Sequence, residues 1–221
     1  MPKQVREKDI IKFVSNRNTK KILDIMMYKK MNGNGEIRNM SIMELTKIHR
    51  SNLFHIFKKL KRYGLIKPIY SDDTGVRSWE ITYKGLYYYY NTLEYKDDKM
   101  SILSTAAQRE NTNTAISDDN IFEILNLLSQ YPESPTTFED VIEQVQKPNS
   151  METNQLNEYI ERMVNLKLII TNYKSYKRIQ FLEITPIGYL YWIYYREYLY
   201  KIQNIMVIEN DMEKGINDNT E

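Results

Sequence analysis

The chain has 221 residues and no cysteine, which leaves room for two domains of ordinary size and excludes a disulfide framework or a thiolate metal site. Its net charge of +2 conceals a split: residues 1–100 carry 21 Lys and Arg against 11 Asp and Glu, residues 101–221 only 10 against 18. A basic first half points to a polyanionic partner that the acidic second half does not share.

In chain order, a basic, mixed arm runs to about Asn18. Lys20 to about Met31 then places Ile22, Ile25, Met26 and Lys29 in helical register. Asn32-Gly33-Asn34-Gly35 breaks that helix. Ser41 with Glu44 reads as a capping box opening a short second helix through Ile48. A third helix runs from Arg50-Ser51-Asn52 to Tyr63 and ends at Gly64. Leu65–Tyr70 and Val76–Tyr83 read as a hairpin, and Lys84–Tyr95 as a tyrosine-dense helix. A polar linker follows.

The order then recurs. Helices are expected over Ile121–Gln130, Thr137–Val145 and Thr153–Leu166, with a longer loop (QKPNSMET) before the last of them. A hairpin over Leu168–Tyr173 and Ile179–Thr185 and a helix from Ile187 to about Ile205 complete the second unit. Leu65-Ile66 and Glu80-Ile81-Thr82-x-x-Gly85 return as Leu168-Ile169 and Glu183-Ile184-Thr185-x-x-Gly188, every position offset by 103 residues. A unit that long is a small domain present twice, not a solenoid repeat.

The run SNLFHIFKKLKRYGLI (Ser51 to Ile66) resembles the recognition helix of archaeal and bacterial winged-helix regulators. There an xxLxxLxxxGLI pattern leads into the wing and an ITxxG pattern follows it, as Ile81-Thr82-x-x-Gly85 does here. The resemblance covers about residues 19–90 well and 121–200 more loosely, because Lys167 replaces the helix-ending glycine. It implies a mainly α protein with small β-hairpins (α+β), built as two tandem winged helix-turn-helix domains. The expected boundaries are 1–97 for the DNA-binding domain, 98–118 for a linker, 119–208 for an assembly or sensing domain and 209–221 for an acidic tail.

Independently of the resemblance, about 100° per residue gathers Leu53, Ile56, Phe57 and Leu60 into one stripe, with Ser51, His55, Lys58 and Arg62 opposite and Asn52 and Lys59 flanking them. Cations, an amide and a hydroxyl on one outward face suit phosphates and base edges in a major groove. A solubilising surface is the plain alternative. The expected DNA contacts are His49, Arg50, Ser51, Asn52, His55, Lys58, Lys59 and Arg62, with Arg77 from the wing. In the second copy Glu158 and Glu161 replace His55 and Lys58, which would repel phosphates. Its wing tip, Lys174, Lys177 and Arg178, could still touch a DNA backbone.

The aromatic run from Tyr189 to Tyr200 exceeds what one helix face buries. Tyr191, Trp192, Tyr195 and Tyr198 are therefore expected at an interface. Homodimerisation, packing between the two domains and a ligand pocket are the three uses open to it. His49 and His55, the only two histidines, have no ligand partners at metal spacing. No P-loop, dinucleotide fingerprint or nucleophile elbow occurs. Neither an enzyme, a cofactor nor a metal is expected. Nothing reads as a signal peptide or membrane span, so the expectation is a cytoplasmic, nucleoid-associated regulator of transcription that binds double-stranded DNA and contacts transcription machinery. A plasmid or viral replication initiator and a winged-helix protein adaptor are the alternatives.

Overall fold

The computed structural model describes residues 6–32, 35–71, 75–93, 118–174 and 179–197. The expected linker (98–118) therefore lies outside the described residues, save the helix-capping Asp118, and so does the acidic tail. The chain is mainly helical with small antiparallel sheets.

The first half contains α1 (Glu7–Val14), α2 (Arg17–Asn32), α3 (Asn39–Thr46), α4 (Arg50–Arg62), β1 (Ile66–Ser71), β2 (Gly75–Ile81) and α5 (Tyr83–Asn91). The second contains α6 (Asp119–Gln130), β3 (Thr136–Thr137), α7 (Phe138–Val141, continuing as a π-helical turn Ile142–Gln146), α8 (Thr153–Asn165), β4 (Ile169–Lys174) and β5 (Ile179–Ile184). The last helix among the described residues, α9, covers residues 186–197 of them.

The repeat is preserved at the level of single hydrogen bonds. Ile66 pairs with Ile81 and Ile169 with Ile184. Thr82 Oγ1 donates to the Gly64 carbonyl (2.7 Å) and accepts from the Gly85 N–H (3.0 Å). Thr185 Oγ1 donates to the Lys167 carbonyl (2.6 Å) and accepts from the Gly188 N–H (3.0 Å). Each threonine thus caps the closing helix of its unit. A Cβ on Gly85 would collide with the Leu65 carbonyl, and one on Gly188 with that of Leu168. Both glycines are demanded by this close approach of helix to strand.

Left-handed backbone recurs as well. Gly64 has φ +71° and Lys167 φ +58°; Lys47 has φ +58° and Ser150 φ +51°. Lysine thus holds, in the second copy, a conformation that glycine adopts freely. The expected longer loop is present, six residues (147–152) against three (47–49), and the matched turns show how it arises. Ile42 and Leu53, both buried, align with buried Val145 and Leu156 at the common offset, so nothing is inserted. Helical structure instead ends earlier in the second copy, at Gln146.

Other expectations are corrected locally. The arm before Asn18 contains α1, whose Ile10 and Val14, one turn apart, are buried. The α2 stripe is Ile22, Leu23, Met26 and Met27; Ile25 is half-buried and Lys29 exposed. Ser41 caps nothing. The helix starts at Asn39, after Arg38, because Ile37 is pinned to Trp79 by a β-bridge and Asn39 accepts from Trp79 Nε1 at 2.9 Å. That bridge has its counterpart in β3, whose Thr136 pairs with Leu182, 103 residues after Trp79. Pro132 and Pro135, just before Thr136, read locally as a turn and so conceal this third strand.

The buried side chains of both halves form one contiguous cluster. Tyr83 lies where they meet: its hydroxyl donates to the Ile184 carbonyl (2.7 Å) and its ring meets Tyr189 edge-on at 5.1 Å. Lys67 reaches Glu80 at 3.4 Å and Glu133 at 4.0 Å, adding a polar link between the halves.

Candidate nucleic-acid interface

The helix α4 is built by local rules. His49 caps it, its Nδ1 accepting from the Ser51 N–H, with Ser51 Oγ 2.9 Å away. Leu53, Phe57 and Leu60 are buried, and Ile56 is half-buried, as is Tyr159 at the same place in α8. Lys59, Lys61 and Arg62 lie in the last turn, where cations favour the helix dipole. Stabilising a helix end and contacting an anion are compatible tasks for these groups.

His49, Arg50, Ser51, Asn52, His55, Lys58, Lys59 and Arg62 are all exposed, and α4 brings them onto one outward surface. Their roles differ. His49 and Ser51 are engaged in the cap. Lys59 turns back so that its ammonium sits 5.4 Å from the Phe13 ring centre, a cation–π contact with α1. Among the described residues, Arg50, Lys58, Lys61 and Arg62 form no ion pair. Arg77 belongs to β2 and Lys174 to β4. Their side chains, together with Lys177 and Arg178, lie outside the described part.

Beside these cations is a groove of about 760 Å³ between the start of α3, the face of α4 and β2. Met40, Met43, Leu53, Phe54, Phe57 and Trp79 line it, with Arg50, Lys58 and Lys61 among its walls. Phe54 and Met40 are 67% and 65% exposed. The Phe57 and Trp79 rings meet at 5.0 Å. The sequence reading missed this groove and the part of Lys61 in it. The signal was an aromatic residue, Phe54, outside the buried stripe of an otherwise polar helix face.

The second copy presents other chemistry on the same frame. Leu156, Ile160 and Met163 are buried in α8, while Asn154, Glu158, Glu161 and Asn165 are exposed.

The aromatic helix is covered from within the chain. Tyr191 and Trp192 are 4% and 8% exposed. Trp192 Nε1 donates to Asn126 Oδ1 at 3.3 Å, and Tyr195 packs on Phe122 at 5.2 Å. Packing within one chain therefore accounts for Tyr191 and Trp192, which leave little ring surface for a second copy. Tyr198 lies outside the described residues. Burial raises the phenol pKa of Tyr83, with the Glu133 charge adding to it, and burial likewise raises that of Tyr189. Both hydroxyls stay protonated at neutral pH.

Among the described residues no cluster of His, Asp or Glu could hold a metal ion, and no helix is long and apolar enough to cross a membrane. The chain matches no family model and no curated protein.

Proposed function

We propose that the chain is a tandem winged helix-turn-helix protein that binds double-stranded DNA and regulates transcription, with α4 as the reading helix and the β1–β2 hairpin as the wing. The observation that carries this reading is the outward face of α4, where Arg50, Lys58, Lys61 and Arg62 stand exposed and without ion pairs among the described residues. Asn52 and His55 lie beside them to meet base edges. Support also comes from the order of α2, α3 and α4, the β1–β2 hairpin and the closing α5, which matches the order that the resemblance to winged-helix regulators implies. The second unit keeps that order but sets Glu158 and Glu161 outward. It serves assembly or sensing and does not enter the groove in the same way. A second chain would have to use surfaces other than the Tyr191 and Trp192 rings.

The test is a mobility-shift titration of the full chain with random and genomic duplexes over a range of salt. Affinity should fall steeply with salt, because each phosphate neutralised releases counterions, and some genomic fragments should be bound well above the random background. Binding that ignores salt, or no binding to either pool, would overturn the reading. Genome-wide mapping then separates regulator from initiator: promoters support the first and a replication origin the second.

A further inference from the structure

The groove beside α4 does not follow from the fold. At the offset of 103 residues, Met40, Phe54 and Lys58 become Glu143, Asn157 and Glu161, all exposed. Met43 becomes Gln146, which is buried and fills its place by donating from Nε2 to the Met151 carbonyl and to Thr153 Oγ1, both at 3.1 Å. The second unit packs its own α7–α8 turn in this way and needs no open apolar trough. The first unit leaves Met40 and Phe54 in solvent, where large apolar side chains gain nothing for stability.

We propose that this groove binds a small lipophilic anion, an aromatic or short-chain aliphatic carboxylate, in competition with DNA. The volume of about 760 Å³ lies within the roughly 300–1,000 Å³ of small-molecule sites. The floor and walls are aromatic and thioether groups, which follow the shape of a flat or flexible apolar body. The polar groups are Arg50, Lys58 and Lys61 with Asn39, and no carboxylate lines the groove among the described residues. Asn39 Oδ1 is already occupied by Trp79 Nε1. The charged walls therefore select an anion, and a cation of the same shape is repelled. The competition rests on the DNA-binding reading above, because Arg50 and Lys58 would face the phosphates: a bound carboxylate neutralises them, and its body projects between α4 and the DNA.

The experiment uses the full chain with methyl-labelled methionine, titrated with 2-naphthoate and, separately, with 2-naphthylmethylammonium. The first should shift the Met40 and Met43 methyl resonances saturably and the second should not. Met43→Gln should weaken naphthoate binding several-fold. Met40→Gln, at an exposed site, should do the same if the first substitution disturbs packing. Saturating naphthoate should lower DNA affinity about tenfold, within the usual range of coupling between sites. Unmoved Met40 and Met43 signals, equal binding of the cation, or unchanged DNA affinity with naphthoate bound each overturn the proposal. The methyl signals report on the groove without DNA. Saturable naphthoate shifts in a chain that binds no DNA would remove the regulatory reading and leave the site, whereas silent methionines in a chain that does bind DNA would remove the site alone.

Discussion

Tyr83, the first residue of α5, donates its phenol proton to the main-chain carbonyl of Ile184, the last residue of β5, at 2.7 Å. Its ring meets Tyr189 edge-on. One side chain of the first unit thus ties together the hairpin and the closing helix of the second. The two copies share a buried seam, and perturbing it should be felt in both.

Tyr83→Phe keeps the ring contact and removes one hydrogen bond, so it should cost about 1 kcal/mol. Tyr83→Ala also removes the ring and should cost roughly 3 kcal/mol. Urea denaturation followed by circular dichroism gives both values. A single transition in the parent chain that splits in two in Tyr83→Ala would show the seam coupling the halves. An alanine variant as stable as the parent would refute the coupling.

The same seam sets a pH dependence. Burial raises the phenol pKa values of Tyr83, Tyr90 and Tyr189 above 10.0, so the folded state holds protons that the unfolded chain releases near pH 10. The resulting stability is fully present below that pH and is lost as pH rises beyond it. Melting temperatures measured from about pH 8 to 11 should be level at first and then fall. The fall should be shallower in Tyr83→Phe.

Lys167 and Gly64 share a left-handed conformation, which disfavours lysine by about 1–2 kcal/mol and glycine hardly at all. After the extra chain entropy of glycine is subtracted, Lys167→Gly should stabilise the protein by roughly 0.5–1 kcal/mol. Gly64→Lys should destabilise it by a similar amount. Denaturation midpoints of the two variants moving in the same direction would contradict this.

On α4 the cations should be unequal. Arg62→Ala should lower the salt slope of DNA binding by about one unit and weaken all sequences alike. Lys59→Ala should do less, since the Lys59 ammonium rests over Phe13. Asn52→Ala should alter sequence preference more than affinity. Introducing the charges of the second copy, His55→Glu with Lys58→Glu, should reduce affinity at least about tenfold. The melting temperature should barely move, because both positions are exposed. Measured binding curves with the order of Arg62 and Lys59 reversed would mean that α4 docks differently.

Much of the architecture is legible in the sequence alone, because each element carries its own period and stop signal. Leu53, Phe57 and Leu60 mark one helix face, Gly64 ends it, and the recurring Thr and Gly mark where each closing helix begins. What escaped depends on partners distant in sequence. The strand at Thr136–Thr137 has only two residues and exists through its pairing with Phe181 and Leu182. The short helix ending at Val14 is amphipathic against α5, which lies some seventy residues on. The groove needs α3, α4 and Trp79 together, and no local pattern encodes that meeting. The aromatic excess of α9 was visible; that Tyr83 and Phe122 cover part of it was not.

The chain has two tryptophans, and the fold allots one to each copy in contrasting surroundings. Trp79 stands half-buried against Phe57 on the groove wall. Trp192 is enclosed near Asn126, with the Arg196 guanidinium 4.8 Å from its ring centre. Intrinsic emission therefore contains two separable signals, one for each half of the repeat. Replacing either indole by phenylalanine would turn the protein into its own single-probe fluorophore, able to report which half melts first and which one senses a bound molecule.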